Sequence, residues 1–269
     1  MDTQKSATTE LNPTPPSLEP IAMAALEAGR MMMEAGASAG SVKAVVETFA
    51  HGLGAERVDL RIGYASLGIT IGVGRSGITR MRKMGDLGVN HRLDQELWNL
   101  AKRVSRRELT TEQSRTELIR LGMNTPRHPA WVMALAVGLA CAAFGRLLGV
   151  DWLGIGPVFL AAAVGQFIRG ELVGRQVNSF ICATLVAFLS ALIGGLGARW
   201  LGSETMTTVM IASILLLVPG VPAVNAQTDI LEGRPTLGSA RAVSVLMTLI
   251  FIAAGLWIAQ MLLSHWNWI

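Results

Sequence analysis

The feature that most constrains this chain is an apolar run that is broken by prolines and a glycine and then ends on polar side chains. From Leu215 to Asp229 the sequence reads Leu-Leu-Leu-Val-Pro-Gly-Val-Pro-Ala-Val-Asn-Ala-Gln-Thr-Asp. Proline removes a backbone donor, and lipid offers no hydrogen bonds to the carbonyls that are released, so those carbonyls need protein, water or a ligand. The run therefore predicts a broken membrane helix of the kind that forms a transport site.

Charge is distributed unevenly along the chain, which has 269 residues, 51% of them hydrophobic and 16% charged. Residues 1–128 contain 17 of the 23 lysines and arginines and 14 of the 19 acidic residues. This division predicts a water-soluble part followed by a part too apolar for a soluble fold. Residues 1–20 are polar and proline-rich, so we expect a disordered leader and no secretory signal peptide.

The soluble part, residues 21–128, changes its hydrophobic period twice. Apolar residues such as Val46 and Phe49 first recur at helical spacing. The period then shortens to two in three short runs, which is typical of β-strands. Helical spacing returns afterwards, and Thr110 with Gln113 forms a capping box before the last helix. The predicted order is αα-βββ-αα, a small cytoplasmic α+β domain.

Two motif matches in this part are rejected because their context is wrong. Gly72-Val73-Gly74-Arg75-Ser76-Gly77 matches the dinucleotide fingerprint G-x-G-x-x-G, but a charged extended segment follows where that fingerprint requires a helix. A glycine-rich hairpin is expected instead. His51, Asp59 and Ser66 lack any spacing that supports a hydrolytic triad. We therefore expect no catalytic site, cofactor or metal.

Basic residues of the soluble part are interleaved with acidic ones, and the net charge of residues 1–128 is only +3, from 17 basic minus 14 acidic residues. Nucleic-acid binding requires a concentrated positive surface, because neutralised phosphates supply most of its affinity. The pattern therefore favours a solvated face or contact with anionic lipid headgroups over nucleic acid.

Five stretches after residue 129 are apolar enough to cross a bilayer, compared with the ~20 residues that a crossing requires. They are Trp131–Val150, Leu153–Ile168, Val177–Ala198, Met206–Ala226 and Ala242–Leu263, of which the second is short. Arginines favour the loops after the second and fourth spans, so the positive-inside rule predicts a cytoplasmic N-terminus and a C-terminus outside. The predicted fold is an α-helical membrane protein with five transmembrane helices in residues 129–269, preceded by the α+β domain.

Three stretches carry a resemblance to a known family. The first is Pro-Arg-His-Pro-Ala-Trp-Val-Met-Ala-Leu-Ala-Val-Gly-Leu-Ala-Cys at residues 126–141, and the second is Phe167-Ile168-Arg169. The third and most specific is the broken run up to Asp229, with the later Gly233, Gly238 and Arg241. Together they resemble the threonine/serine exporter family, and within it the larger subunit of a two-component bacterial inner-membrane exporter associated with succinate.

The resemblance implies export of small carboxylates, either succinate-like dicarboxylates or threonine and serine, across the cytoplasmic membrane. It also implies a smaller companion membrane protein that supplies a second block of helices, while association with further copies of the chain stays open. An alternative is a regulatory or scaffolding membrane subunit whose soluble domain senses a metabolite while a partner conducts. The choice between amino acid and dicarboxylate, and the energy source, also stay open.

Seven residues are candidates for the substrate path. Asn225 is expected to hydrogen-bond a substrate carboxylate, and Asp229 to bind a substrate ammonium or carry a coupling proton. Arg169 or Arg241 is expected to offset a second carboxylate, although both are also explained as topology determinants at helix ends. The remaining candidates, Pro219, Gly220 and Pro222, either bind ligand through the freed backbone or form a plain structural kink.

Overall fold

The computed structural model describes residues 18–85, 87–124 and 129–265. The chain divides into two compact units, Met1–Thr125 and Pro126–Ile269. Most of the predicted leader lies outside the described residues. The first helix begins at Leu18, so residues 18–20 belong to it and not to the leader.

The first unit has the predicted order of two helices, three strands and two helices, which confirms the α+β character of this part. Its elements are α1 (Leu18–Glu34), α2 (Ala39–Gly52), β1 (Arg57–Ile62), β2 (Ser66–Val73), β3 (Ser76–Lys83), α3 (His91–Ser105) and α4 (Thr111–Asn124). The strands form one antiparallel sheet in the order β1-β2-β3.

Helix α1 forms the centre of this unit because it is built from small and flexible apolar residues. Leu26, Met32 and Met33 are fully buried in it. A Cβ atom on Gly29 would lie 2.6 Å from both Leu67 on β2 and Val46 on α2, so glycine is required for this close packing. One face of the sheet is thereby covered, and the other remains open, as the period-two pattern predicts.

The local signals in this unit are confirmed. The glycine-rich match forms the turn between β2 and β3, with Gly74 at a φ of +56°. In the capping box, the Thr110 backbone N–H donates to Gln113 Oε1 at 2.9 Å, and the Gln113 N–H donates to Thr110 Oγ1 at 3.3 Å. His51 uses Nδ1 to contact the Ala55 carbonyl at 2.7 Å.

The second unit is entirely helical in its described part. It contains α5 (Ala130–Leu147), α6 (Trp152–Gly174), α7 (Ser179–Trp200), α8 (Met206–Ser213), a 3₁₀ turn (Leu215–Leu217), α9 (Gly220–Leu231) and α10 (Pro235–His265). Asp151 and Asn178 cap the N-termini of α6 and α7 through their side-chain oxygens, as short polar residues do at this position.

Four helices, α5, α6, α7 and α10, are long and apolar enough to cross a membrane, and the bent pair formed by α8 and α9 brings the number to five if it is one span. The second predicted span is not short: α6 has 23 residues and continues through Arg169. Its last turns tolerate charge because Arg175 pairs with Glu171 at 2.9 Å. The last helix is also longer than predicted, with 31 residues.

Candidate functional site

The break in the apolar run is a 65° bend between the Met206–Leu217 and Gly220–Leu231 segments. Some of the carbonyls at the bend are satisfied locally, since Leu215 accepts from Val218 N–H at 3.2 Å and Val218 accepts from Gly220 N–H at 2.8 Å. Among the described residues, the carbonyl groups of Leu216 and Leu217 accept no backbone hydrogen bond outside the regular helices and strands. The predicted broken helix is therefore present, and it leaves acceptor groups at the bend.

Small and polar residues from three neighbouring helices pack around the bend. A Cβ atom on Gly165 of α6 would lie 2.1 Å from Ser190 Oγ of α7 and 3.5 Å from the Leu216 side chain. The Cys141 thiol of α5 makes a hydrogen-bonding contact with the backbone of Leu216. Because these residues lie near the middle of their own helices, the bend lies at mid-height of the bundle.

Ser190 is the unusual member of this group. Its side chain is completely buried, and its hydroxyl has no hydrogen-bond partner among the described residues. The neighbouring Ser213 is also fully buried, but it donates to the Val209 carbonyl at 2.8 Å. An unpaired buried hydroxyl is costly and is found in few positions of a native structure.

A buried ion pair joins the two helices that follow the bend. Arg241 Nη1 on α10 donates to Asp229 Oδ2 on α9 at 2.6 Å. The Arg241 side chain is 5% exposed and the Asp229 side chain is 0% exposed. In the described part of this unit, these two are the only buried charged residues. Ionisable residues buried within membrane segments are expensive and usually mark substrate or ion pathways.

The sequence between the two charges brings them together. Gly233 adopts a φ of +78° after α9, while Arg234 N–H bonds to the Asp229 carbonyl at 2.8 Å and Gly233 N–H to the Ile230 carbonyl at 3.1 Å. These bonds form a Schellman motif, which ends α9 and reverses the chain. A Cβ atom on Gly238 would lie 2.5 Å from Ile230, so glycine at this position allows α10 to pack closely on α9.

The other candidates on the broken run lie around the bend and on α9. Pro219 is the N-cap residue of α9, and Gly220 and Pro222 occupy its first turn, where proline is tolerated. A Cβ atom on Gly220 would meet nothing within 4 Å. Asn225 is half-buried one helical turn before Asp229, so both residues lie on the same face of α9.

Arg169 is separate from this group. It lies on α6, is exposed, and forms no ion pair with any described residue. The structure therefore brings Asp229 and Arg241 together but does not add Arg169 to them.

Two aspects of the site were not predicted from the sequence. Asp229 and Arg241 form an ion pair with each other, a contact that the sequence analysis did not predict. Ser190 was not singled out, because a serine in an apolar helix gives no signal of its own. The spacing of the two charges around Gly233 was available as a signal, since a glycine that ends one helix permits a hairpin of helices.

The comparisons with known proteins agree with one another. The family model for threonine/serine exporters matches residues 23–263. A Klebsiella aerogenes protein named "Probable succinate transporter subunit YjjP" is 31% identical over 220 residues, which cover 81% of this chain and 84% of the relative. The Escherichia coli (strain K12) protein of the same name is 30% identical over 226 residues, covering 83% and 88%. No solved structure matches. The chain belongs to the threonine/serine exporter family, whose members are membrane transport proteins.

Proposed function

We propose that this chain is a membrane subunit of a secondary exporter that moves small carboxylates out across the bacterial inner membrane. The observation that carries the proposal is the buried Asp229–Arg241 pair beside a broken helix. Discontinuous helices and buried charges are the features from which many secondary transporters build their substrate sites.

The pair offers a substrate one cation and one anion. A carboxylate that displaces Asp229 gains the guanidinium of Arg241, which binds carboxylates in a bidentate geometry. An amino acid also supplies an ammonium group for the released Asp229, so charge stays balanced throughout. A dicarboxylate needs a second cation, for which the exposed Arg169 or a partner's residue is the candidate. The pair therefore accommodates both proposed substrate classes, but only a dicarboxylate needs a further cation.

A companion protein is part of this proposal. Two relatives are named as transporter subunits, and the described membrane unit has one set of four or five spans. We propose that a smaller membrane protein adds the second helix block and that the N-terminus faces the cytoplasm. The distribution of arginine between the loops supports this orientation.

The alternative function, a regulatory subunit with a metabolite-sensing soluble domain, is favoured by one specific observation. The open face of the sheet contains a shallow cavity of about 490 Å³, lined by residues that include Asp59, Arg61 and Thr70. This alternative expects that Arg61→Ala abolishes regulation of transport by the metabolite and leaves the maximal transport rate unchanged. The subunit proposal expects no change from Arg61→Ala in either quantity.

Efflux of threonine and succinate from loaded cells, measured side by side, tests the proposed function. Three strains are compared: one expresses the chain alone, one expresses the chain with the companion protein, and one expresses neither protein. We expect efflux of at least one substrate to rise only when both proteins are present. Equal efflux in all three strains contradicts the proposal, provided that both proteins are detected in the membrane of the strain that co-expresses them.

A further inference from the structure

A groove runs along the outer side of α9 and α10, next to the ion pair. It has a volume of about 350 Å³ and is lined by residues that include Ala223, Ala226, Gln227, Ala242, Leu246 and Leu249. The α10 side of the groove begins directly after Arg241 and is wholly apolar. Alanines contribute much of the α9 side, so another helix can approach its backbone closely.

Gln227 distinguishes this groove from a surface that faces lipid. It is exposed, and it lines the groove together with the apolar α10 residues Ala242 and Leu246. Helix α10 is long and apolar enough to cross a membrane, and if it does so, the part of α9 that lines the groove with it lies at the depth of the hydrocarbon. An amide in hydrocarbon costs several kcal/mol unless it is hydrogen-bonded, and lipid tails cannot bond it.

The groove also adjoins the candidate transport site. Ala226 and Ile230 line the groove and, on their other side, lie against Gly238. Gly238 precedes Arg241 by one helical turn, so an element in the groove lies close to the ion pair. The ion pair is already buried within the chain, so an element in the groove would pack beside the pair.

We propose that this groove seats one transmembrane helix of the companion subunit, with a polar group on that helix bonded to Gln227. The proposal rests on the proposed function, because that function supplies the companion. The α10 part of the groove, from Ala242 to Leu249, is two helical turns long, about 10 Å, which matches the contact of a single crossing helix. A second copy of the chain and a lipid are the competing occupants.

Photo-crosslinking in intact membranes tests this placement. A photoreactive amino acid replaces Gln227 or Leu246 in the groove, and Leu139 or Trp257 as controls, which are 63% and 60% exposed on α5 and α10. With the companion co-expressed, we expect adducts of the chain with the companion at the two groove positions, at least tenfold above the controls. Adducts with a second copy of the chain, adducts with lipid alone, or equal yields at all four positions overturn the proposal.

The variant Gln227→Leu tests the role of the amide. We expect three- to tenfold less companion to copurify, because a hydrogen bond between membrane helices contributes modestly to association. Gln227→Asn, which keeps an amide, is expected to recover part of the loss. Unchanged copurification with Gln227→Leu overturns the amide's role. Efflux without a groove adduct would support the proposed function and show that this placement is wrong. A groove adduct without any efflux would support the placement and contradict the proposed function.

Discussion

Arg241 and Asp229 lie 12 residues apart in the sequence, yet Nη1 of one lies 2.6 Å from Oδ2 of the other, and neither side chain is more than 5% exposed. Each charge therefore makes the burial of the other tolerable. In the proposed function, a substrate carboxylate that reaches Arg241 would have to displace Asp229.

Removal of one partner is expected to destabilise the membrane unit strongly. Asp229→Asn or Arg241→Gln leaves an uncompensated buried charge, which typically costs about 3–5 kcal/mol. The double variant Asp229→Asn/Arg241→Gln removes both charges and is expected to recover most of this loss. Thermal unfolding of the detergent-purified protein measures all three variants.

The neighbouring pair between Glu232 and Arg234 provides the matched control, because it lies on the same helical hairpin but is 42% and 29% exposed. Glu232→Gln is expected to change stability by less than about 1 kcal/mol. Equal losses for Asp229→Asn and Glu232→Gln would show that burial of the first pair does not determine its contribution.

Two glycine-to-alanine substitutions are expected to differ sharply. In Gly238→Ala the new methyl group meets the Ala226 carbonyl at 2.8 Å and Ile230 at 2.5 Å, so α9 must move away from α10. Gly220→Ala meets nothing within 4 Å and should keep wild-type stability. Membrane abundance and thermal unfolding compare the two, and a stable Gly238→Ala protein would contradict the close packing that positions the ion pair.

The contact between Gly165 and Ser190 predicts a non-additive pair of substitutions. Ser190→Ala removes an unpaired buried hydroxyl and should leave stability unchanged or raised. Gly165→Ala should destabilise, because its methyl group would lie 2.1 Å from Ser190 Oγ. Combining the two relieves the clash, since the remaining Cβ contact is 3.4 Å. Additive effects on the unfolding temperature would argue against this geometry.

We expect the stability of the membrane unit to depend on pH through Asp151, which lies in the loop before α6. The Ser203 hydroxyl donates to its carboxylate at 2.7 Å and, as the largest cause, lowers the pKa of Asp151 below its ordinary value of 3.8. A lowered pKa means that the stability contributed by ionised Asp151 is present above the unfolded-state pKa and is lost as pH falls through the folded-state pKa.

Ser203→Ala should therefore move that loss to higher pH, which unfolding temperatures measured between about pH 3 and pH 5 would detect. Ser105→Ala is the control, because that hydroxyl donates to a backbone carbonyl and not to a carboxylate. Identical pH profiles for Ser203→Ala and wild type would exclude the proposed role of the Ser203 hydroxyl.

The sequence predicted the features that depend on local chemistry. The change of period at residue 58 located the sheet, and Pro219 with Pro222 located the bend, because each pattern acts within a few residues. The end of α6 was predicted too early, since Arg169 was taken as a helix end although an exposed arginine is tolerated inside a helix.

The pairing of Asp229 with Arg241 has one sequence signal, the helix-ending glycine at residue 233, and that signal does not identify the partners. The pairing depends on the turn at Gly233 and on the close approach of the two helices at Gly238. The hydrophobic periodicity of each helix does not indicate which helix it packs against. Ser190 is similar, because its side chain packs against Gly165 of another helix and has no hydrogen-bond partner among the described residues.

The most direct test of the account is efflux by Asp229→Asn beside Glu232→Gln, with the companion co-expressed and the membrane abundance of both variants matched. Asn225→Ala is measured in the same series. Efflux of threonine and succinate from loaded cells is expected to be lost in Asp229→Asn, to fall in Asn225→Ala and to remain at the wild-type rate in Glu232→Gln. Wild-type efflux in both Asp229→Asn and Asn225→Ala would contradict the assignment of this site to transport.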